Sequence, residues 1–316
     1  MVNLARTNGA RNRGGRCLAA QRLGLASEMP IRVGNGRDIG ATNMVSVEQK
    51  VACNWLLRAL PPEELQLIEP HLDKVRLTTG QVVCDVNTPI EYVYFPEVGV
   101  ISSLSVMADG SAVETATIGP EGMAGMAVFH GVDIVPEHAF VQVPGEGYRM
   151  RADALRSLLP SAPTLSALLH RYAVGLFTLV GQNSGCNRKH SVLQRCARWL
   201  LMTQDRVQRD EFELTHHILS QMLGVRRASV TEAALALGEA GAIEYHRGVV
   251  RVLDRSVLER IACECYGIIR STLDRLLGDA ETPNPLDGVK VSRGGRSIAK
   301  DGTPQARAGE GVDALS

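Results

Sequence analysis

The chain has 316 residues, enough for two domains with connecting segments, and the apolar and charged fractions of an ordinary globular protein. Its 34 basic and 34 acidic side chains cancel, so net charge excludes a uniformly basic nucleic-acid binder and any basic surface must be local. Seven cysteines (Cys17, Cys53, Cys84, Cys186, Cys196, Cys263 and Cys265) lack a disulfide-like framework, and no run reads as the roughly 20 apolar residues of a membrane span or as a secretory signal. The expectation is a cytoplasmic protein with no membrane partner.

Residues 1–45 are rich in Gly, Arg and Asn without sustained periodicity, which reads as a disordered basic tail. Met44 stands just before the first ordered-looking segment, so translation from Met44 is an alternative to translation from Met1. From about 47 to 73 the pattern is helical, with Pro61-Pro62 followed by Glu63 and Glu64 marking a helix start. From about 74 to 150 the period changes. VRL, QVVC, YVYF, VGVISSLSVM, SAVETATI and AFVQV are short β-favouring runs separated by TTG, NTP, ADG and PGEG. Asp109-Gly110 is a hairpin signal, and many short strands at this spacing suggest a barrel or sandwich.

In PTLSALLHRYAVGLFTLVGQN, Leu165, Leu169, Tyr172, Leu176 and Leu179 recur at spacings of four and three, a heptad-like seam. Such a seam is either a core helix within one chain or a face that pairs with its copy in a second chain. Its place between two domains favours pairing. SVLQRCARWLLMTQDR then reads as another amphipathic helix.

The segment LTHHILSQMLGVRRASVTEAALALG, from Leu214, has the spacing of a helix-turn-helix. Thr215 caps a helix whose inner face is Ile218, Leu219, Met222 and Leu223. Ser220 is small where the next helix crosses, and Gly224 supplies the turn. Val225, Val230, Ala233 and Ala234 face the first helix, leaving Arg226, Arg227, Ser229 and Glu232 outward. Two strands turning at His246-Arg247-Gly248 follow as a wing. Two arginines at a helix N-terminus oppose the helix dipole, which points to an anionic partner: double-stranded DNA with the helix in its major groove.

Over about residues 48–278 the chain resembles the Crp/Fnr family of transcription regulators. The resemblance is carried by LTHHILSQMLGVRRASVTEAAL, by LTTGQVVCDVNTPIEYVYF and by GPEGMAGMAVFHG. It implies an α+β chain: an N-terminal jelly-roll-like β-roll sensor domain (46–150), a long dimerisation helix (151–187) and a C-terminal winged helix-turn-helix (188–278), with a second tail over 279–316. It also implies that Arg227 reads a base, that Thr215, His216 and Ser229 meet phosphate, and that Ala228 and Glu232 change the operator from that of the cyclic-AMP receptor. Arg226 and Arg247, at the wing turn, complete the DNA-binding candidates. Homodimerisation, RNA polymerase and a small-molecule effector are the other partners implied.

The effector pocket implied by the resemblance departs from cyclic-AMP binders. Gly125-Met126 stands where they have Gly-Glu, and Glu137-His138 where they have an arginine pair. A methionine cannot accept a ribose hydroxyl, and a carboxylate repels a phosphate that a bidentate arginine would hold. The effector is therefore expected to differ from cyclic AMP; alternatively the β-roll is a ligand-free scaffold or partner-binding module.

Catalysis is not expected. The β block has only His130 and His138, without the His-x-His pair of a cupin site, and no nucleophile elbow or phosphate loop occurs. No metal or other cofactor is expected either: only Cys263 and Cys265 are close in sequence, and on a helix that spacing points two thiols to different sides. A single-thiol oxidation switch or a partial metal site is the alternative.

Overall fold

A computed structural model of the chain describes residues 53–278. The tails expected over 1–45 and 279–316, and Met44, lie outside the described residues. The first helix, α1 (Trp55–Arg58), is set by Asn54. Its side chain accepts from the Leu56 and Leu57 amides and donates to the carbonyls of Pro96 and Gly122, at 2.9 and 2.8 Å. One buried amide thus caps a helix and joins two later segments. Helix α2 (Pro62–Ile68) starts at the proline and acids read from the sequence.

An antiparallel sheet follows, made of β1 (Asp73–Leu77), β2 (Val82–Cys84), β3 (Tyr92–Val106), β4 (Ala112–Ile118) and β5 (Glu137–Arg151). Its order is β1-β5-β3-β4, with β2 also paired to β5. The Asp109-Gly110 hairpin forms between β3 and β4: Gly110 has φ 81°, and the Asp109 carboxylate accepts from the Ser111 amide and hydroxyl.

Two strands are longer than the sequence runs. YVYF and VGVISSLSVM join through Pro96 and Glu97 as β3, and β5 continues through PGEG. Register shifts between Pro96 and Ile101 absorb the proline, and a side chain at Gly145 or Gly147 would strike the facing backbone of β3. These residues mark bulges and close strand contact, not chain reversals. The short helix α3 (Met126–Phe129) lies between β4 and β5, and α4 (Ala152–Leu158) follows β5.

Helix α5 (Pro163–Lys189) is capped from a distance: the Glu64 carboxylate accepts the Thr164 and Leu165 amides at 2.8 and 3.0 Å. Burial pushes the Glu64 pKa up, but these hydrogen bonds outweigh it and hold the carboxyl below its usual value. The expected pairing seam is not outward. Leu165, Leu169, Tyr172 and Leu179 are buried within the chain and Leu176 is half-buried, whereas Val174, Phe177 and Val180 are exposed at 56%, 80% and 38%. The heptad pattern located an apolar stripe but not its cover. The helix has two such stripes, and by length and composition alone it is apolar enough to cross a membrane, with a mean hydropathy of 1.2 in an 18-residue window. That corrects the reading that no such run exists. Between Pro163 and Asn187 the only Lys, Arg, Asp or Glu is Arg171.

The C-terminal part comprises α6 (Val192–Val207), β6 (Glu211–Glu213), α7 (His216–Leu223), α8 (Arg227–Glu239), β7 (Ile243–His246), β8 (Val249–Val252), α9 (Arg255–Ile261) and α10 (Cys265–Leu277). Helix α6 begins at a capping box of Ser191 and Gln194. The wing is a three-stranded sheet, β6-β8-β7, whose first strand the sequence reading did not identify.

Candidate nucleic-acid interface

The Thr215 hydroxyl accepts the Ile218 amide at 3.2 Å, fixing the start of α7. Gly224 ends it with φ 60°, a conformation that a Cβ would strain. Ser220, Val230, Ala233 and Ala234 are buried, as the crossing of two closely packed helices requires.

Arg226 is the N-cap of α8 and makes no side-chain cap hydrogen bond; Arg227 is the first helical residue. Both are exposed, as are Ala228 and Glu232, while Ser229 is half-buried. Among the described residues neither guanidinium has a hydrogen bond or an ion pair. The start of α8 therefore combines free amide dipoles with two unpaired cations, an arrangement that can receive phosphate oxygens and base edges. Arg247 is exposed on the wing turn with φ 47°, followed by Gly248 with φ 85°, the left-handed pair of a tight hairpin.

His216 is placed differently from the phosphate contact that the resemblance implies. Its ring stacks on Tyr245 of the wing at 4.2 Å, and its Nδ1 lies 3.0 Å from the Thr231 hydroxyl of α8. The Thr231 proton is committed to the Arg227 carbonyl at 3.1 Å, so Nδ1–H is the donor. Among the described residues the buried Nε2 atom has no hydrogen-bond partner. Burial and then the Arg227 guanidinium hold this imidazole below its ordinary pKa, so it is neutral near pH 7. His216 thus joins α7, α8 and the wing.

The residues of the expected effector pocket have separate neighbours. Gly125 caps α3 with φ 88° and sits against Val93, and Met126 is half-buried against the apolar core. Glu137 and His138 begin β5 opposite Ser105 and Leu104, and the His138 Nδ1 is 2.9 Å from the Asp85 carboxylate.

The sequence reading missed how the segment from Gly119 to Ala124 is held. The Glu121 carboxylate accepts the buried Arg206 guanidinium of α6 at 2.6 and 2.9 Å, and Arg206 also donates to the Thr117 hydroxyl and carbonyl. A side chain at Gly119 would strike Arg206, and one at Gly122 would strike the Tyr172 ring. Beside them Trp199 Nε1 donates to Glu114 at 3.0 Å, and Arg198 donates to Asn183, whose amide donates to the Thr115 carbonyl. The visible signal was three arginines, Arg195, Arg198 and Arg206, on a helix whose other buried residues are apolar except for Thr203 and Gln204.

Residues 194–261 match the Crp-like helix-turn-helix domain family. No curated protein matches the chain. Among solved structures the chain is similar to FixK2 from Bradyrhizobium japonicum at 15% identity, covering 61% of this chain and 98% of that one with a TM-score of 0.52. It is similar to the c-di-GMP-responsive global regulator CLP from Xanthomonas campestris at 14% identity, covering 61% and 100% with a TM-score of 0.51. A CRP-family transcriptional regulator from Thermus thermophilus shares 19% identity over 60% of this chain and 96% of its own, with a TM-score of 0.51. The described chain therefore shares the fold of these Crp/Fnr regulators, and within it residues 194–261 match the Crp-like helix-turn-helix domain.

Proposed function

We propose that the protein is a sequence-specific DNA-binding transcription regulator, organised as a β-roll (46–150), a dimerisation helix (151–187) and a winged helix-turn-helix (188–278). The observation that carries this reading is the unpaired Arg226–Arg227 pair at the exposed start of α8. With α8 in the major groove, Arg227 reads a guanine and Arg226 meets phosphate, while Arg247 brings the wing to the neighbouring backbone. The protein acts as a homodimer through the outward stripe of α5, Val174, Phe177 and Val180, because among the described residues nothing covers that apolar face. Two recognition helices then address half-sites about 34 Å apart. The β-roll answers to an effector other than cyclic AMP: Met126 offers no carboxylate, and the only basic side chain of the Glu137–His138 pair is engaged by Asp85.

Sequence-selection binding with two single variants tests the DNA reading. Arg227→Ala is expected to relax the preference at one base pair per half-site, a contact worth about 1–3 kcal/mol. Arg226→Ala should weaken all sequences alike and flatten the salt dependence. Unchanged preference in both variants would remove α8 from the groove.

A further inference from the structure

Cys186 lies in the last turn of α5, and His190 is the C-cap of the same helix. Cys263 and Cys265 are not both on a helix: Ala262 ends α9 in an extended conformation, and α10 starts at Cys265. The backbone turn between them lets both thiols face the end of α5. Cys186 and Cys263 are 77 residues apart in sequence, and His190 and Cys265 are 75 apart. Yet the three sulfurs and one ring nitrogen converge so that all lie within 4.8 Å of one another. Cys186 Sγ is 3.5 Å from Cys263 Sγ, and Cys265 Sγ is 3.5 Å from His190 Nδ1.

Those separations match the edges of a coordination tetrahedron. With Zn–S near 2.3 Å and Zn–N near 2.0–2.1 Å, tetrahedral zinc sets S···S edges of about 3.8 Å and S···N edges of about 3.6 Å. The surroundings also fit. All three thiols are buried, as in closed structural sites. The other ring nitrogen of His190 lies 3.2 Å from the Glu264 carboxylate, the outer partner that orients a ligating imidazole through its distal N–H. The Gln182 amide donates to Cys265 Sγ at 3.1 Å, and Arg195 is buried beside Cys186 and Cys263, where its charge offsets surplus thiolate. Soft sulfur donors disfavour magnesium and calcium, and ligand atoms this close enclose one ion, whereas an iron–sulfur cluster would hold them farther apart.

We propose that Cys186, His190, Cys263 and Cys265 form a Cys3His site for one structural zinc ion. The ion clamps the end of α5 to the start of α10, fixing the last helix of the DNA-binding part against the long helix. Ligand spacing had concealed it, because Cys263 was read as helical.

The test is metal analysis of the full chain purified reduced and without added chelator. The expected result is one zinc per chain, replaceable by cobalt(II) to give the sulfur-to-metal charge-transfer and ligand-field bands of a tetrahedral thiolate site. Cys265→Ser should lower the affinity at least tenfold and weaken the charge-transfer band. Cys196→Ser removes a buried thiol in α6 away from the cluster and should leave stoichiometry at one. His190→Cys should keep the metal and shift the cobalt spectrum towards four thiolates, which decides the question even if Cys265→Ser does not fold. Folded, reduced wild-type chain that takes up neither zinc nor cobalt would overturn the proposal. So would a Cys186–Cys263 disulfide persisting under reduction, or iron bound together with acid-labile sulfide.

Discussion

Glu114→Gln should flatten the pH dependence of stability between about 4.5 and 7. The carboxyl is buried between β4 and α6, accepting from Trp199 Nε1 at 3.0 Å and lying 2.8 Å from the Ser102 hydroxyl. Burial, only partly offset by those hydrogen bonds and by Arg198 and Arg206, pushes its pKa from 4.5 to about 7. The Ser102 hydroxyl is also 2.6 Å from the Gln142 Oε1, and its single proton cannot serve two acceptors. A protonated Glu114 resolves this by donating to Ser102, which donates to Gln142. Below pH 4.5 the group is protonated whether the chain is folded or not. As pH rises towards 7, the unfolded chain releases the proton and the folded chain keeps it, so stability is lost over that window and levels off above it. The full loss is about 3 kcal/mol, an order-of-magnitude figure. An amide of the same shape does not titrate. The variant should therefore match or trail the wild type near pH 5 and gain on it by about 3 kcal/mol near pH 8. Urea unfolding followed by the fluorescence of Trp55 and Trp199 at several pH values gives the difference directly, and the groups common to both chains cancel. A wild-type-minus-variant difference that is the same at pH 5 and 8 would refute the reasoning. It would place the Gln142 amide the other way round and the carboxylate ionised.

Glu121→Ala leaves the Arg206 guanidinium buried without its partner and should destabilise the chain by about 3–5 kcal/mol, read as a lowered urea midpoint. Phe177→Lys should shift the chain towards monomer in sedimentation, since each copy forfeits about 1.5–3 kcal/mol of apolar burial; a dimer as tight as wild type would move the interface elsewhere. Titration calorimetry with cyclic AMP should show no binding at micromolar concentrations, and measurable binding there would mean that Met126 is not at the ribose position.

The elements that were legible in the sequence are those whose determinants are local. Thr215, Gly224 and the apolar spacing between them specify the helix-turn-helix within a few residues, and Asp109-Gly110 specifies its hairpin. The lengths of β3 and β5 were not legible, because Pro96, Gly145 and Gly147 punctuate most chains but here accommodate bulges and close strand contact. On α5, periodicity revealed Leu165 to Leu179 but not that the chain's own core covers them. That depends on residues far away, such as Leu273, which lies against Gly175. The role of His216 depends on Tyr245 and Thr231, which meet it only after the wing has folded back. The thiol cluster was hidden by one extended residue, Ala262, which frees Cys263 from the helical geometry assumed for it.

The contact between the β-roll and α6 sets directed polar bonds into hydrocarbon: Arg206 on Glu121 and Trp199 on Glu114, with Leu200 and Leu201 in the same apolar cluster as Ile101 and Ile118. Contacts of this kind are exacting in direction and shallow in depth. When such a pair separates into water, both members regain hydration that roughly offsets the attraction they lose, so the hydrocarbon beside them supplies the depth and the polar pairs supply the register. The seating of α6 on the sheet is thus specified by angle and distance as well as by burial. One hydrogen bond of about 1.4 kcal/mol favours the paired register over a slipped one about tenfold.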